Sequence, residues 1–238
     1  MKKVLFKKFG PTEDRTWKAL FARQSLKRDL QIVPQFSQGL KALGHCAETI
    51  PHLENVNSRL RKLTGWEGVP VEGLEEGASF YDMLAQRKFP IGNFIRDEKD
   101  LSYTPAPDIF HDLYGHLPFF VDPQYAEFCQ EYGRQASKYK NDPKILQEFE
   151  RFFWFTIEFG LIETAEGRRI FGAGIASSYG ECEYALSTRP IIKNFDVEAI
   201  RNQEFRIDIF QEQLFVLKSV DQLYGSLDIF VKAYKAAH

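Results

Sequence analysis

The sequence predicts a mostly α-helical single domain with a few short β-strands. Three observations carry this. At 238 residues one domain is the default, and such a chain buries roughly 70–75% of its unfolded surface. Helical runs bounded by capping residues, proline or glycine recur along most of it. No internal repeat, low-complexity stretch or linker separates compositionally distinct halves. Residues 1–238 are therefore expected to form one unit, with a helical segment over 1–62 packed on it.

The elements follow in order. Thr12 suits the cap of a helix through Trp17, Leu20 and Phe21. Pro34 and Gly44 punctuate the next stretch, and Val56, Leu60 and Leu63 mark a short amphipathic helix stopped by Gly65. Residues 65–77 change to the texture of loop and short strand. Ser79 opens a helix through Phe80, Leu84 and Lys88, and residues 89–96 read as a strand. An extended stretch from Tyr103 leads to Asp108, a suitable N-cap. Asp122-Pro123 starts a helix past Phe128 and Tyr132, and Asp142-Pro143 another that reaches Glu158. Residues 168–173 read as strand and 175–186 as helix. Residues 205–216 alternate at period two over their first half, a strand signal. An amphipathic helix over 220–234 closes the chain.

Composition excludes several function classes. Lys+Arg 31 against Asp+Glu 33 gives a net charge of −2, without the basic excess of a phosphate-driven nucleic-acid binder. No run of 18 apolar residues exists to span a membrane, and the N-terminal lysines interrupt any signal-peptide core. Cys46, Cys129 and Cys182 make an odd set with no CxxC, which fits a reducing, cytoplasmic setting. Aromatic residues reach 15%, with 22 Phe.

Two of the five histidines, His111 and His116, stand five residues apart. On an α-helix that is about 140° beyond a full turn. The pair comes together only if the helix ends near Gly115 and His116 turns back. The spacing fails the His-Glu-x-x-His pattern of zinc proteases. On spacing alone the plainer reading is favoured: one ring hydrogen-bonded in the core, the other at the surface. A metal site needs a third ligand. Glu158 is the best candidate, because a carboxylate among Phe152, Phe153, Trp154, Phe155 and Phe159 is expensive to bury unless paired or metal-bound. The competing reading is a salt bridge to a distant arginine. Two imidazoles and one carboxylate suit non-haem Fe(II).

Three blocks then stand in order: Tyr103-Thr104-Pro105 onward through the histidine pair to Phe120, Trp154-Phe155-Thr156-Ile157-Glu158-Phe159-Gly160-Leu161, and Gly172-Ala173-Gly174-Ile175-Ala176-Ser177-Ser178-Tyr179-Gly180-Glu181. Together they resemble the signature blocks of the pterin-dependent aromatic amino acid hydroxylases, most closely the short bacterial phenylalanine hydroxylases. The likeness runs from about residue 63 to 216. It implies the family's catalytic fold, with His111, His116 and Glu158 holding Fe(II). It implies that Arg96, Thr104 and Ser177 hold the substrate's carboxylate, with Trp154 and Pro107 packing the substrate ring. Gly73, Leu74 and Phe80 would meet a tetrahydropterin. Asp112 falls where many members carry Glu, keeping the charge but drawing it back. Pro90 stands where animal members have a histidine, and Phe153 where a tyrosine is common.

The activity implied is hydroxylation of L-phenylalanine to L-tyrosine by Fe(II), tetrahydropterin and O2. Alternatives are hydroxylation of tryptophan, meta-hydroxylation of phenylalanine, a non-catalytic pterin- or amino-acid-binding member, or a zinc hydrolase with Asp112 as base. Partners are confined to these small molecules, with no nucleic acid and no membrane. The chain lacks room for the regulatory domain and tetramerisation tail of animal members, so a monomer or weak homodimer is expected. The cysteines, His45, His52 and His238 carry no catalytic role in this reading. Ile207 falls where tyrosine hydroxylases place an acid, and its apolar side chain favours phenylalanine. Ile207→Asp is therefore expected to lower phenylalanine turnover; unchanged steady-state kinetics would count against the alignment of that segment.

Overall fold

The computed structural model describes residues 4–73, 75, 77–99, 101 and 106–235. Helix α1 (Pro11–Ser25) starts one residue before Thr12. Pro11 occupies the first turn, where its missing N–H is no loss, and the Glu13 carboxylate accepts from the Gly10 N–H at 3.0 Å. After the short α2 (Arg28–Gln31), α3 (Pro34–Leu43) and α4 (Leu53–Thr64) end on Gly44 and Gly65 with φ of 72° and 76°, the left-handed stop expected of glycine. Val56 and Leu60 face the core, whereas Leu63, at the margin of the buried stripe, is 48% exposed.

Strand β1 (Glu67–Pro70) pairs in parallel with β2 (Lys88–Ile91) across α5 (Gly77–Ala85). Lys88 belongs to β2 rather than to the helix, and β2 ends at Ile91, so residues 92–96 form a connection. Two π- and 3-10-helical turns, Phe110–His116 and Leu117–Val121, follow. Asp122 and Asp142 then cap α6 (Pro123–Ser137) and α7 (Pro143–Phe153) as expected, each carboxylate accepting two backbone N–H groups at 2.8–3.2 Å. A second π turn, Trp154–Glu158, continues α7.

The larger sheet has the order β4-β3-β6-β5, built from β3 (Leu161–Thr164), β4 (Gly167–Ile170), β5 (Ile191–Asn194) and β6 (Gln213–Leu217). The β3–β4 hairpin is antiparallel, and β6 pairs in parallel with both β3 and β5. The helix expected over 175–186 is broken into α8 (Ala173–Ala176) and α9 (Tyr179–Ala185), because Ser178 leaves the helical region and its hydroxyl caps α9. Helix α10 (Val197–Arg201) joins β5 to β6, and α11 (Val220–Lys235) closes the described chain. Only the last third of the strand expected over 205–216 exists. The alternation in 205–211 has another cause: Phe205 stacks on Trp154, Ile207 is 78% exposed, and among the described residues the pairing with β5 reaches back only to Glu212, whose carbonyl accepts from the Ile191 N–H at 2.8 Å.

One hydrophobic cluster runs through the elements and includes Trp17, Phe36, Phe110, Phe149 and Phe215. Trp17 of α1 meets the Phe110 ring at 5.1 Å, so the N-terminal helices pack directly on the first π turn. Among the described residues no helix is long and apolar enough to cross a membrane. Phe149 is fully buried against Tyr132 and Phe230. Phe149→Ala is expected to destabilise the fold by about 3–5 kcal/mol, read as a lower denaturant midpoint at unchanged slope.

Candidate active site

His111 and His116 meet because the turn that carries them is π-helical. A π turn bonds residue i to i+5, so side chains five apart share a face that an α-helix would deny them. The Leu117 N–H accordingly bonds Asp112 O. The helix does not end at Gly115, as the sequence suggested; Gly115 lies inside the turn. Glu158 closes the second π turn, where the Phe159 N–H reaches Trp154 O at 2.8 Å. The two Nε2 atoms stand 3.0 Å apart. Glu158 Oε1 is 2.9 Å from His116 Nε2, and Oε2 is 3.7 Å from His111 Nε2. Among the described residues these three offer donor atoms all within 4.8 Å of one another.

The surroundings fit them for a cation. The Ser177 hydroxyl donates to Gly174 O at 3.1 Å, so His111 Nδ1, also 3.1 Å from Ser177 Oγ, is the donor of that contact. The Nε2 lone pair is thereby turned toward the other donors. His116 lies against the Phe89 ring at 4.5 Å. Gly174 admits the carboxylate, since a Cβ there would stand 2.8 Å from Glu158 Oε2. Burial pushes His111 down to about 4 and keeps it neutral. Burial pushes the Glu158 carboxyl up, but His116 and His111 more than offset it and hold it below its ordinary value. Two imidazoles and one carboxylate are the donor set of open non-haem iron sites. Ligand atoms at right angles on bonds of about 2.1 Å stand about 3 Å apart, the spacing of the two contacts at His116 Nε2, 3.0 and 2.9 Å.

A cavity of about 590 Å³ opens beside the three. Phe80, Phe153, Trp154, Phe159 and Phe205 wall it. Trp154 stacks on Phe205 with centroids 4.3 Å apart and touches Phe159 at 4.5 Å. Gly73, Pro107, Asp112, Ser177 and Ile207 also line it, with Ile207 at the exposed rim. Leu74 and Thr104 lie outside the described residues.

Two expected residues behave differently from the sequence reading. Arg96 is buried, and its fork is already engaged: Nε and Nη2 bond the two oxygens of Asp108 at 2.8 and 2.9 Å. Asp108 also accepts from the Arg96 and His111 backbone N–H groups, both at 3.0 Å. Burial opposes the Asp108 charge, yet Arg96 and those N–H groups hold its carboxyl below the ordinary value. Asp112 is buried too. Burial, with Asp108 and Glu158 nearby, raises its carboxyl well above the usual range, against one 2.6 Å bond from the Gly92 N–H. Phe159, Phe205 and Glu181 line the cavity without having been singled out. Burial lifts Glu181 to about 7. No sequence signal separates them from ordinary aromatic core and surface acid.

A family model described as biopterin-dependent aromatic amino acid hydroxylase matches residues 2–237. The chain belongs to that family. Among curated members of this hydroxylase family, it is 38% identical to phenylalanine-4-hydroxylase of Chromobacterium violaceum, over 92% of this chain and 74% of the relative. It is 37% identical to that of Pseudomonas aeruginosa, over 91% and 82%. The C. violaceum hydroxylase structure with bound oxidised Fe(III) superposes with a TM-score of 0.91 at 36% identity, over 95% of this chain and 82% of that one. A second, holding iron(III) and the oxidised cofactor 7,8-dihydrobiopterin, gives 0.89 at 36% identity, over 96% and 84%.

Asp108→Asn leaves a buried guanidinium half-paired and is expected to cost about 3–5 kcal/mol. Because the folded Asp108 carboxyl titrates below its ordinary 3.8, the parent's advantage is complete above that pH and shrinks as pH falls through the folded value. Denaturant unfolding of both proteins from pH 7 to pH 3 measures it.

Proposed function

We propose that this chain is a phenylalanine 4-monooxygenase, converting L-phenylalanine to L-tyrosine with Fe(II), a tetrahydropterin and O2. The observation that carries the reading is the convergence of His111, His116 and Glu158 in an aromatic cavity. The phenylalanine hydroxylases to which the chain is similar support the substrate. Bound together, Fe(II) and tetrahydropterin supply the electrons that reduce dioxygen and deliver one oxygen atom to an aromatic ring.

The residues provide everything around that chemistry. His111 and His116 offer neutral nitrogens and Glu158 one anionic oxygen, leaving coordination positions open. Ser177 acts through His111, fixing its tautomer, beside any contact with substrate. Trp154, flanked by Phe159 and Phe205, forms the wall for the substrate ring, with Pro107 lining the same cavity. Arg96 presents the outer N–H groups of a fork locked by Asp108, so it orients an amino-acid carboxylate with little further loss of freedom; Thr104 is assigned to the same end. Gly73, Leu74 and Phe80 take the pterin, the Phe80 ring offering a stacking face. Asp112, whose Oδ2 accepts from the Gly92 N–H, lines the cavity and is assigned to the pterin end. By the family resemblance, Trp154 favours phenylalanine over tryptophan, and apolar Ile207 favours it over tyrosine.

We read the chain as one catalytic unit with residues 1–62 packed on it, a monomer or weak homodimer of the cytoplasm. Its continuous hydrophobic cluster and three free cysteines support this.

Incubation with Fe(II), a tetrahydropterin and phenylalanine is expected to yield tyrosine by chromatography. His111→Ala should lose both bound iron and tyrosine formation. Retained activity in that variant would remove the ligand assignment.

A further inference from the structure

We infer that His45 is a positioning residue for the two histidine ligands, holding their turn in π register by donating to the Leu113 carbonyl. This rests on the reading of His111 and His116 as iron ligands. Leu113 lies between them and is fully buried. In a helix its carbonyl is served by the N–H four or five residues on. Four residues on, the Leu117 N–H goes to Asp112 O instead. Five residues on stands Pro118, which has no N–H. The Leu113 oxygen therefore lacks a helical partner, and His45 Nε2 stands 2.9 Å from it.

A carbonyl only accepts, so Nε2 carries the proton. Nδ1 is then the bare nitrogen, and it is buried with no partner among the described residues. Burial lowers His45 to about 4, which leaves the ring neutral with one donor.

The scaffold aims this donor. Gly44 takes φ +72°, and the His45 N–H folds back to Leu40 O at 2.9 Å, a six-to-one closure of α3. A Cβ on Gly44 would stand 2.5 Å from the Arg59 guanidinium. On the other side the Trp17 indole N–H holds Cys46 O at 2.9 Å. The same indole lies against both the His45 and Phe110 rings.

The register follows from competition for one N–H. Leu117 can serve Leu113, which is α pitch, or Asp112, which is π pitch. With Leu113 already satisfied by His45, the Leu117 N–H is released to Asp112. At α pitch His116 would swing about 140° away from His111.

The test compares Fe(II) affinity by chelator competition and the visible spectrum of the Co(II)-loaded protein, with thermal unfolding alongside. His45→Phe keeps a ring but has no donor. It should weaken Fe(II) binding about tenfold and shift the Co(II) bands. His45→Gln restores an N–H and should bind close to the parent. Equal binding and spectra for parent and His45→Phe would overturn the inference, as would equal losses in the Phe and Gln variants. Should His45→Phe fail to fold, adding Pro118→Ala supplies the missing N–H. Recovery of fold and metal in that double variant supports the role, and its failure overturns it. A parent that takes no Fe(II) overturns the ligand assignment itself, and this role with it. A parent that binds beside variants that bind equally overturns only the role of His45.

Discussion

The register of two short helical turns governs this molecule. A π turn brings i and i+5 onto one face, and His111 and His116 need that face. The second turn, at the end of α7, advances Glu158 to the same point. Such turns give up regular hydrogen bonding, so neighbouring elements must fix them. Trp17 and His45 do so from the N-terminal helices, and Gly174 lets α8 close over Glu158.

Charge is handled with the same economy around the cavity. Four acids sit near one another, and each is settled differently. Asp108 stays ionised because Arg96 and two backbone N–H groups surround it. Glu158 stays ionised between two imidazoles. Burial of Asp112 and partial burial of Glu181 push both toward the neutral form. A charged acid at every one of these positions would repel its neighbours in a medium of low polarity. The arrangement favours charge at Glu158 and at Asp108 beneath the arginine, and disfavours it at Asp112 and Glu181.

The aromatic excess has a divided use. Tyr132, Phe149, Phe152 and Phe230 fill the core between α6, α7 and α11. Phe153, Trp154, Phe159 and Phe205 instead wall the cavity, on or beside the turn that carries Glu158. One helix thus joins bulk stability to the ligand face, and its last core residues precede its first cavity residues in the chain.

Much of this was legible in the sequence. Caps at Asp122 and Asp142 and stops at Gly44 and Gly65 act within a few residues, so local chemistry alone dictates them. The donor trio of His111, His116 and Glu158 was legible only through the resemblance of its three blocks, since spacing alone favoured separated histidines and a salt-bridged glutamate was the competing reading. What escaped depends on contacts distant in the chain. The i+5 register follows from competition for single N–H groups, settled partly by His45, some seventy residues away. The state of Asp112 and the engagement of Arg96 depend on burial, which no local pattern reports. Residues 205–211 alternate like a strand, yet among the described residues no strand pairs with them, and Phe205 stacks on Trp154 instead. The sequence by itself determined which groups were available and where helices start and stop; tertiary structure decided which lone pairs face one another, because those distances are set by elements far apart along the chain.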